Sequence, residues 1–264
     1  MKKILPLLFL LLASCAHKIP RPAEDPNPNL FGKDQIKREK FFRYVQGKLD
    51  LRVSSPKLNM GGSAKLFIGE KGETRLEVVD PLGRTQFIGH LAGRSFLAYW
   101  PRQERAYRDS EEGRHYLARY LGLTMTFREL TDLIWGMVPR QYRADTPKTP
   151  WGWDDRRGLF LATLGPADKQ AAMGWNHDRL ATGSLQWTTP GPNGSVLKAV
   201  WDDFSPFKEN SDSFPLANTL KLSAEREGIT FEVSWNDVES KSKLEFGHTL
   251  APNLSDKTKT ITLP

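Results

Sequence analysis

From Gln46 onward apolar residues recur at every second position, and this alternation limits the possible folds more than any other feature of the chain. Leu49, Leu51 and Val53 alternate with Lys48, Asp50 and Arg52, the pattern of a strand with one buried face. Ala64, Leu66 and Ile68 repeat it, and Leu76 and Val78 alternate with Arg75 and Glu77. Between these runs lie turn residues. In Asp80-Pro81-Leu82-Gly83 the proline fixes φ at about −65° and glycine stands at the exit, as in a type I turn. Further strands are expected over 85–91, 94–100, 103–108, 158–164, 169–175, 180–188 and 195–203. Two late runs alternate most cleanly: Leu220-Leu222-Ala224, then Ile229-Phe231-Val233-Trp235, turning at Glu227-Gly228. Short strands separated by turn residues predict an antiparallel meander.

About thirty residues break the rhythm. Tyr116, Leu117, Tyr120 and Leu121 share one helical face before Gly122. Thr126 and Glu129 form a capping box. Leu130, Leu133, Ile134 and Met137 follow at i, i+3, i+4 and i+7, with Pro139 as the expected stop. A helix pair over about 111–139 either packs permanently on the sheet or lids a pocket. Upstream, Asp34 is expected as the N-cap of a short helix carrying Ile36, Lys40, Phe41 and Tyr44. The stretches 147–153 and 205–215 are expected as loops, and the tail from Leu254 as an edge strand or unstructured.

The N-terminus supplies the address. Lys2 and Lys3 precede an apolar run, Ile4 to Leu12, that closes on Leu12-Ala13-Ser14 and then Cys15. This is a secretory signal over 1–14, and it resembles the bacterial lipobox, which implies a diacylated Cys15 as the mature N-terminus. The run is shorter than the ~20 residues that span a bilayer, so acyl chains would be the anchor. Ala16 in place of aspartate favours the outer membrane under the sorting rule that comes with the resemblance. Pro20, Pro22, Pro26 and Pro28 make 15–32 an expected extended tether, at about 3.1 Å per residue. Residues 33–264 are expected to form a single domain.

Composition and motifs say little for catalysis. The formal charge of +7 includes Lys2 and Lys3, and Arg102, Arg105, Arg108, Arg114 and Arg119 are interleaved with Glu104, Asp109, Glu111 and Glu112, unlike the basic stripe of a nucleic-acid binder. A single cysteine excludes an intramolecular disulfide and thiolate metal sites. The five histidines are isolated, no nucleophile elbow or phosphate loop is present, and Asp154-Asp155 and Asp202-Asp203 read as turn residues. The expectation is a non-enzyme with no catalytic residue, no metal and no cofactor beyond lipid on Cys15.

A curved sheet bearing an amphipathic helix pair suggests a pocket for an apolar ligand. Here short motifs also agree in order and spacing with a known family: Gly47 opening the first long strand, Pro81-Leu82-Gly83 after the third, Leu121-Gly122, and Ile134-Trp135-Gly136-Met137-Val138-Pro139. Over about 44–139 the chain resembles the lipoprotein-localisation family of the periplasmic carrier LolA and the outer-membrane receptor LolB, and is nearer LolB. The resemblance implies a mainly β fold, a half-open antiparallel β-barrel with a short helical lid and an N-terminal helix. It implies a cavity for lipoprotein acyl chains, lined by Leu49, Leu51, Leu66, Leu76, Val78, Leu97, Leu220, Leu222, Phe231 and Val233. Leu130, Leu133, Ile134 and Met137 would form the lid. It implies acylated lipoproteins and a LolA-like carrier as partners of a monomer in the outer membrane, with no nucleic acid. Leu82 stands where LolB exposes a membrane-inserting leucine; alternatively it folds back on the core. The second half matches only in strand rhythm, and 140–156 and 204–216 have no counterpart in the family. A LolB-fold lipoprotein that senses lipids or a partner without transferring cargo is the other functional reading.

Overall fold

A computed structural model describes residues 18–41, 44–69, 72–189, 194–209, 212–240 and 250–263; Cys15 and the leader lie outside them. Strands β1 (Val45–Ser54) to β6 (Arg105–Asp109) form one wing of a sheet, and β7 (Lys148–Asp154) to β13 (Ile229–Ser240) form the other. The wings join where β1 pairs antiparallel with β13. The described residues thus make one open 14-stranded sheet, order β14-β6-β5-β4-β3-β2-β1-β13-β12-β11-β10-β9-β8-β7, not closed into a barrel. The expected mainly β, open antiparallel architecture holds, with one exception. β14 (Lys259–Thr262) is an edge strand and runs parallel to β6.

The alternation in the sequence becomes rows of side chains across the inner face. Leu49 stands opposite Ala64 on β2 (Asn59–Ile68) and Trp235 on β13; Leu51 faces Val233, which faces Leu220 on β12 (Asp212–Ala224). Leu66 faces Leu76 on β3 (Thr74–Val79). All are buried except Trp235, which is half-buried. Gly47 is required by this face, since a Cβ there would lie 2.2 Å from Trp235 Cζ3. The family motif therefore has a local cause.

Two helices lie on the inner face: α2 (Arg114–Tyr120) and α3 (Phe127–Ile134). The capping box is present, with Glu129 N–H donating to Thr126 Oγ1 and Thr126 N–H to Glu129 Oε2. The helix stops earlier than Pro139. Gly136 takes φ 72°, its N–H donates to Leu133 O, and Met137 N–H donates to Asp132 O, the paired bonds of a Schellman motif. Met137 is therefore buried beyond the helix rather than on it.

Other expectations need correction. The N-terminal helix α1 spans Asn29–Phe41, with Asn27 Oδ1 accepting Asn29 N–H. Asp34 lies inside it, paired with Arg38. The stretch 147–153 is mostly the edge strand β7, preceded by a short helix α4 (Arg140–Arg143). Of the expected loop 205–215, residues 205–209 and 212–215 continue the strands β11 (Val196–Glu209) and β12, with Phe207 opposite Phe214 and Pro206 opposite Pro215. Asp202 and Asp203 lie within β11, not in a turn. Residues 18–28 do not run free. Ile19 N–H donates to Asp155 O at 2.7 Å, Arg21 reaches Trp151 O at 3.1 Å, and Pro26 is buried.

Candidate functional site

The site begins with a hairpin. Strand β3 returns through Pro81-Leu82-Gly83 into β4 (Thr85–Ala92). Gly83 N–H donates to Asp80 O at 2.8 Å, Asp80 N–H donates to Arg84 O at 2.9 Å, and Gly83 takes φ 76°. This is a type I turn closed by a left-handed residue, the usual three-residue hairpin. The Asp80 carboxylate organises it: Oδ1 accepts the N–H groups of Leu82 and Arg84, and Oδ2 accepts the guanidinium groups of Arg84 and Arg102. The Arg84 N–H, helped by its guanidinium and the Leu82 N–H, holds the Asp80 pKa down at about 2. Leu82, at the tip, is 74% exposed. It does not fold back on the core.

The inner face holds nine of the ten expected lining residues: Leu49, Leu51, Leu66, Leu76, Val78, Leu220, Leu222, Phe231 and Val233, all buried. The lid residues Leu130, Leu133, Ile134 and Met137 are buried against the same core. Leu97 is the exception. On β5 (Ser95–Trp100), Phe96 and Ala98 face inward, and Leu97 packs on the outer face with Ile88, Tyr99, Ala106 and Leu254. Every residue in Phe96-Leu97-Ala98-Tyr99-Trp100 is apolar, so alternation there has no phase.

Among the described residues, the space beneath the lid helices is small. About 30 Å³ is free between α2 and the β1–β2 hairpin, room for about one water molecule. Of the expected residues only Leu51, Leu76, Phe231 and Leu130 line it; the rest of the lining comes from residues such as Leu58, Met60, Trp100, Leu117 and Leu121. Leu58, Met60 and Trp100 are half-buried and form its rim. Sequence periodicity assigned the buried face but carries no signal for what fills it.

The two lid helices are held differently. At the start of α3, the Arg128 guanidinium donates to Glu112 Oε1, Gly72 O and Gly93 O. At its end, Trp201 Nε1 donates to Leu133 O at 2.8 Å, Trp235 Nε1 to Ile134 O at 3.4 Å, and Arg38 Nη1 to Trp135 O at 3.4 Å. Side chains from the sheet and from α1 thus bond the carbonyls at the helix end, Leu133 O accepting from Trp201 as well as from the Gly136 N–H. By contrast, α2 has seven residues between Gly113 and Leu121. Lys57 Nζ reaches Arg119 O at 3.0 Å across the mouth, and Trp100 Nε1 donates to Tyr116 Oη. Burial pushes the Tyr116 phenol pKa up, so the ring stays neutral. Among the described residues, no group of three or more His, Cys, Asp or Glu is placed to hold a metal ion, and no helix is long and apolar enough to cross a membrane.

An open antiparallel sheet with a helix pair laid along its inner face is the LolA-like fold. Solved structures share it, among them the following three. A candidate outer-membrane lipoprotein-sorting protein domain from Vibrio parahaemolyticus superposes with a TM-score of 0.56 at 12% identity, over 83% of this chain and 97% of that one. A DUF1329 family protein from Desulfovibrio piger gives 0.55 at 12% identity, over 85% and 98%. A LolA superfamily protein from Nitrosomonas europaea gives 0.50 at 10% identity, over 80% and 94%. At these identities the likeness is one of fold. No protein-family model matches the sequence, and no curated protein matches it.

Proposed function

We propose that this chain is a lipoprotein of the outer membrane, acylated at Cys15 and facing the periplasm. In this reading it accepts the acyl chains of lipoproteins from a LolA-like carrier and delivers them into the bilayer, without a cofactor and without catalysis. The observation that carries the reading is Leu82, 74% exposed on a turn clamped by Asp80. A leucine left in water forgoes roughly 1.5–3 kcal/mol of burial, and insertion into a bilayer returns it. The LolA-like fold supports the same reading, with an apolar inner face of the kind that acyl chains need. Because the described residues leave only about 30 Å³ between α2 and the β1–β2 hairpin, chains enter by exchange. Tyr116, Leu117 and Leu121 on and just after α2 leave the β1–β2 side, and acyl carbons replace them, while α3 keeps its place. Such an exchange is a population shift drawn by differential burial.

The test uses the Cys15→Ser protein, an apolar environment-sensitive dye and a long-chain lipopeptide. Saturable dye binding that the lipopeptide reverses is expected, together with transfer of the lipopeptide into liposomes by the acylated protein. The packed interior favours the second reading, a LolA-fold lipoprotein that senses lipid or a partner without carrying chains. Transfer at the uncatalysed rate, with no saturable dye binding, would decide for it.

A further inference from the structure

The segment 18–22 is strapped to one end of the second wing. Lys18 Nζ lies 3.3 Å from Asp155 Oδ2, and Trp153 Nε1 donates to Ile19 O at 3.1 Å. Ile19 sits over Gly158, whose added Cβ would lie 3.2 Å from Ile19 Cδ1. The Arg21 guanidinium is 5.6 Å from the centre of the Phe160 ring. Only three peptide units separate Lys18 from Cys15, so even a fully extended chain reaches about 10 Å. The strapped end is formed by the turn between β7 and β8 (Leu159–Leu164) and the turn between β9 (Ala171–Asn176) and β10 (Ala181–Thr188). Ile19, Pro20, Arg157, Asp178 and Arg179 share one open cleft there.

This end has the chemistry of a bilayer contact. Arg156, Arg157 and Arg179 are exposed. Of the three carboxylates at these turns, Asp154 accepts the N–H groups of Arg156 and Arg157, Asp155 is engaged by Lys18, and Asp178 is exposed, while the Arg157 guanidinium also donates to Gly183 O at 3.4 Å. Asp202 and Asp203 line the β11 side of the cleft, where Asp202 Oδ1 accepts the Asp203 N–H and Asp203 Oδ2 the Asn218 amide. Beside Arg179, Leu180 is 48% exposed and held at φ 49°, an uncommon backbone for a residue other than glycine. Arginine flanking an outward leucine suits a headgroup layer, phosphates outside and apolar carbon beneath.

We propose that the β7–β8 and β9–β10 turns are the surface on which the domain rests on a phospholipid bilayer, with Arg156, Arg157 and Arg179 against lipid phosphates and Leu180 among the headgroups. The proposal rests on acylation at Cys15. It is tested with the acylated full chain in liposomes of phosphatidylethanolamine and phosphatidylglycerol. Acylation consumes the one native thiol, so Arg156→Cys, Arg179→Cys and Asp168→Cys each offer a single labelling site. Asp168 lies in the turn at the other end of the β8–β9 hairpin, about 20 Å away along a six-residue strand. With a fluorophore at each site and a headgroup-linked nitroxide as quencher, quenching at 156 and 179 should exceed that at 168 at least threefold. Equal or reversed quenching on an acylated protein would overturn this orientation alone. A mass spectrum of the N-terminal peptide without acyl chains would overturn the anchor and the orientation together.

Discussion

Leu82 and Asp80 divide presentation between them: one is exposed at the tip, where the proposed function has it meet the membrane, and the other holds the turn that presents it. Leu82→Glu should leave stability within about 0.5 kcal/mol, as surface changes usually do, and should sharply lower lipopeptide delivery to liposomes while dye binding persists. Unchanged delivery would remove the insertion role. Asp80 titrates low because its folded form accepts two backbone N–H groups. A depressed carboxylate contributes stability that is fully present above its unfolded pKa, about 3.9, and lost as pH falls through the folded value of about 2. Asp80→Asn should therefore be less stable than the parent at pH 6, and the difference should close as pH approaches 2 in denaturant titrations. The turn was legible in Pro81-Leu82-Gly83, but both an exposed and a folded-back Leu82 were open in the sequence, and the structure decides for exposure. The clamp was readable in principle, since aspartate before Pro-x-Gly bonds its own turn. Arg102 was not, because its approach depends on the next hairpin.

Among the elements, α3 is held at both ends, and the proposed exchange places the movement at α2, whose Tyr116 N–H donates to the buried Asp109 carboxylate. Side chains from β11, β13 and α1 hold the end of α3, and Arg128 holds its start. Amide exchange should be slow over Leu130–Ile134 and markedly faster over Arg114–Tyr120; equal protection would contradict exchange at α2. Thr126→Ala should cost about 1 kcal/mol through loss of the cap, measured as a shift in denaturant midpoint. Gly47→Ala should cost roughly 1–3 kcal/mol, because the new methyl collides with Trp235. The capping box and the strands of the first wing could be read directly, because their patterns are local. The β11–β12 hairpin could not. Pro206, Pro215 and the polar residues between them mark a loop by composition, yet Phe207 packs on Phe214 at 5.4 Å, and Arg38 donates to Pro215 O at 2.6 Å. Those contacts hold the strands in register.

At the scale of the whole molecule, the proline-rich stretch shows how composition and docking part ways. Alternating prolines make 18–28 extended, but extension is compatible with lying along a surface, and Ile19 and Pro26 found one. Over the described residues 18–28, the expected tether lies against the sheet. Alternation likewise told which face is buried without telling that α2 and α3 fill it.

The junction of the two wings also governs how the chain reaches this state. Val45 pairs with Ser240 and Val53 with Phe231, so the centre of the sheet unites residues from opposite ends of the domain. Contacts so distant in sequence are made late and slowly, on a scale of roughly milliseconds to seconds. A chain ended at Glu227 lacks β13, and each wing then has a bare edge where its partner belongs. Such a chain should show no cooperative unfolding transition, and a sharp one would mean that the wings fold independently. Until Ile229–Ser240 arrives, β1 offers an unpaired apolar strand to any neighbour, an opening for aggregation. A protein proposed to shelter the lipid chains of others would thus itself need shelter until nearly the last of its strands is in place.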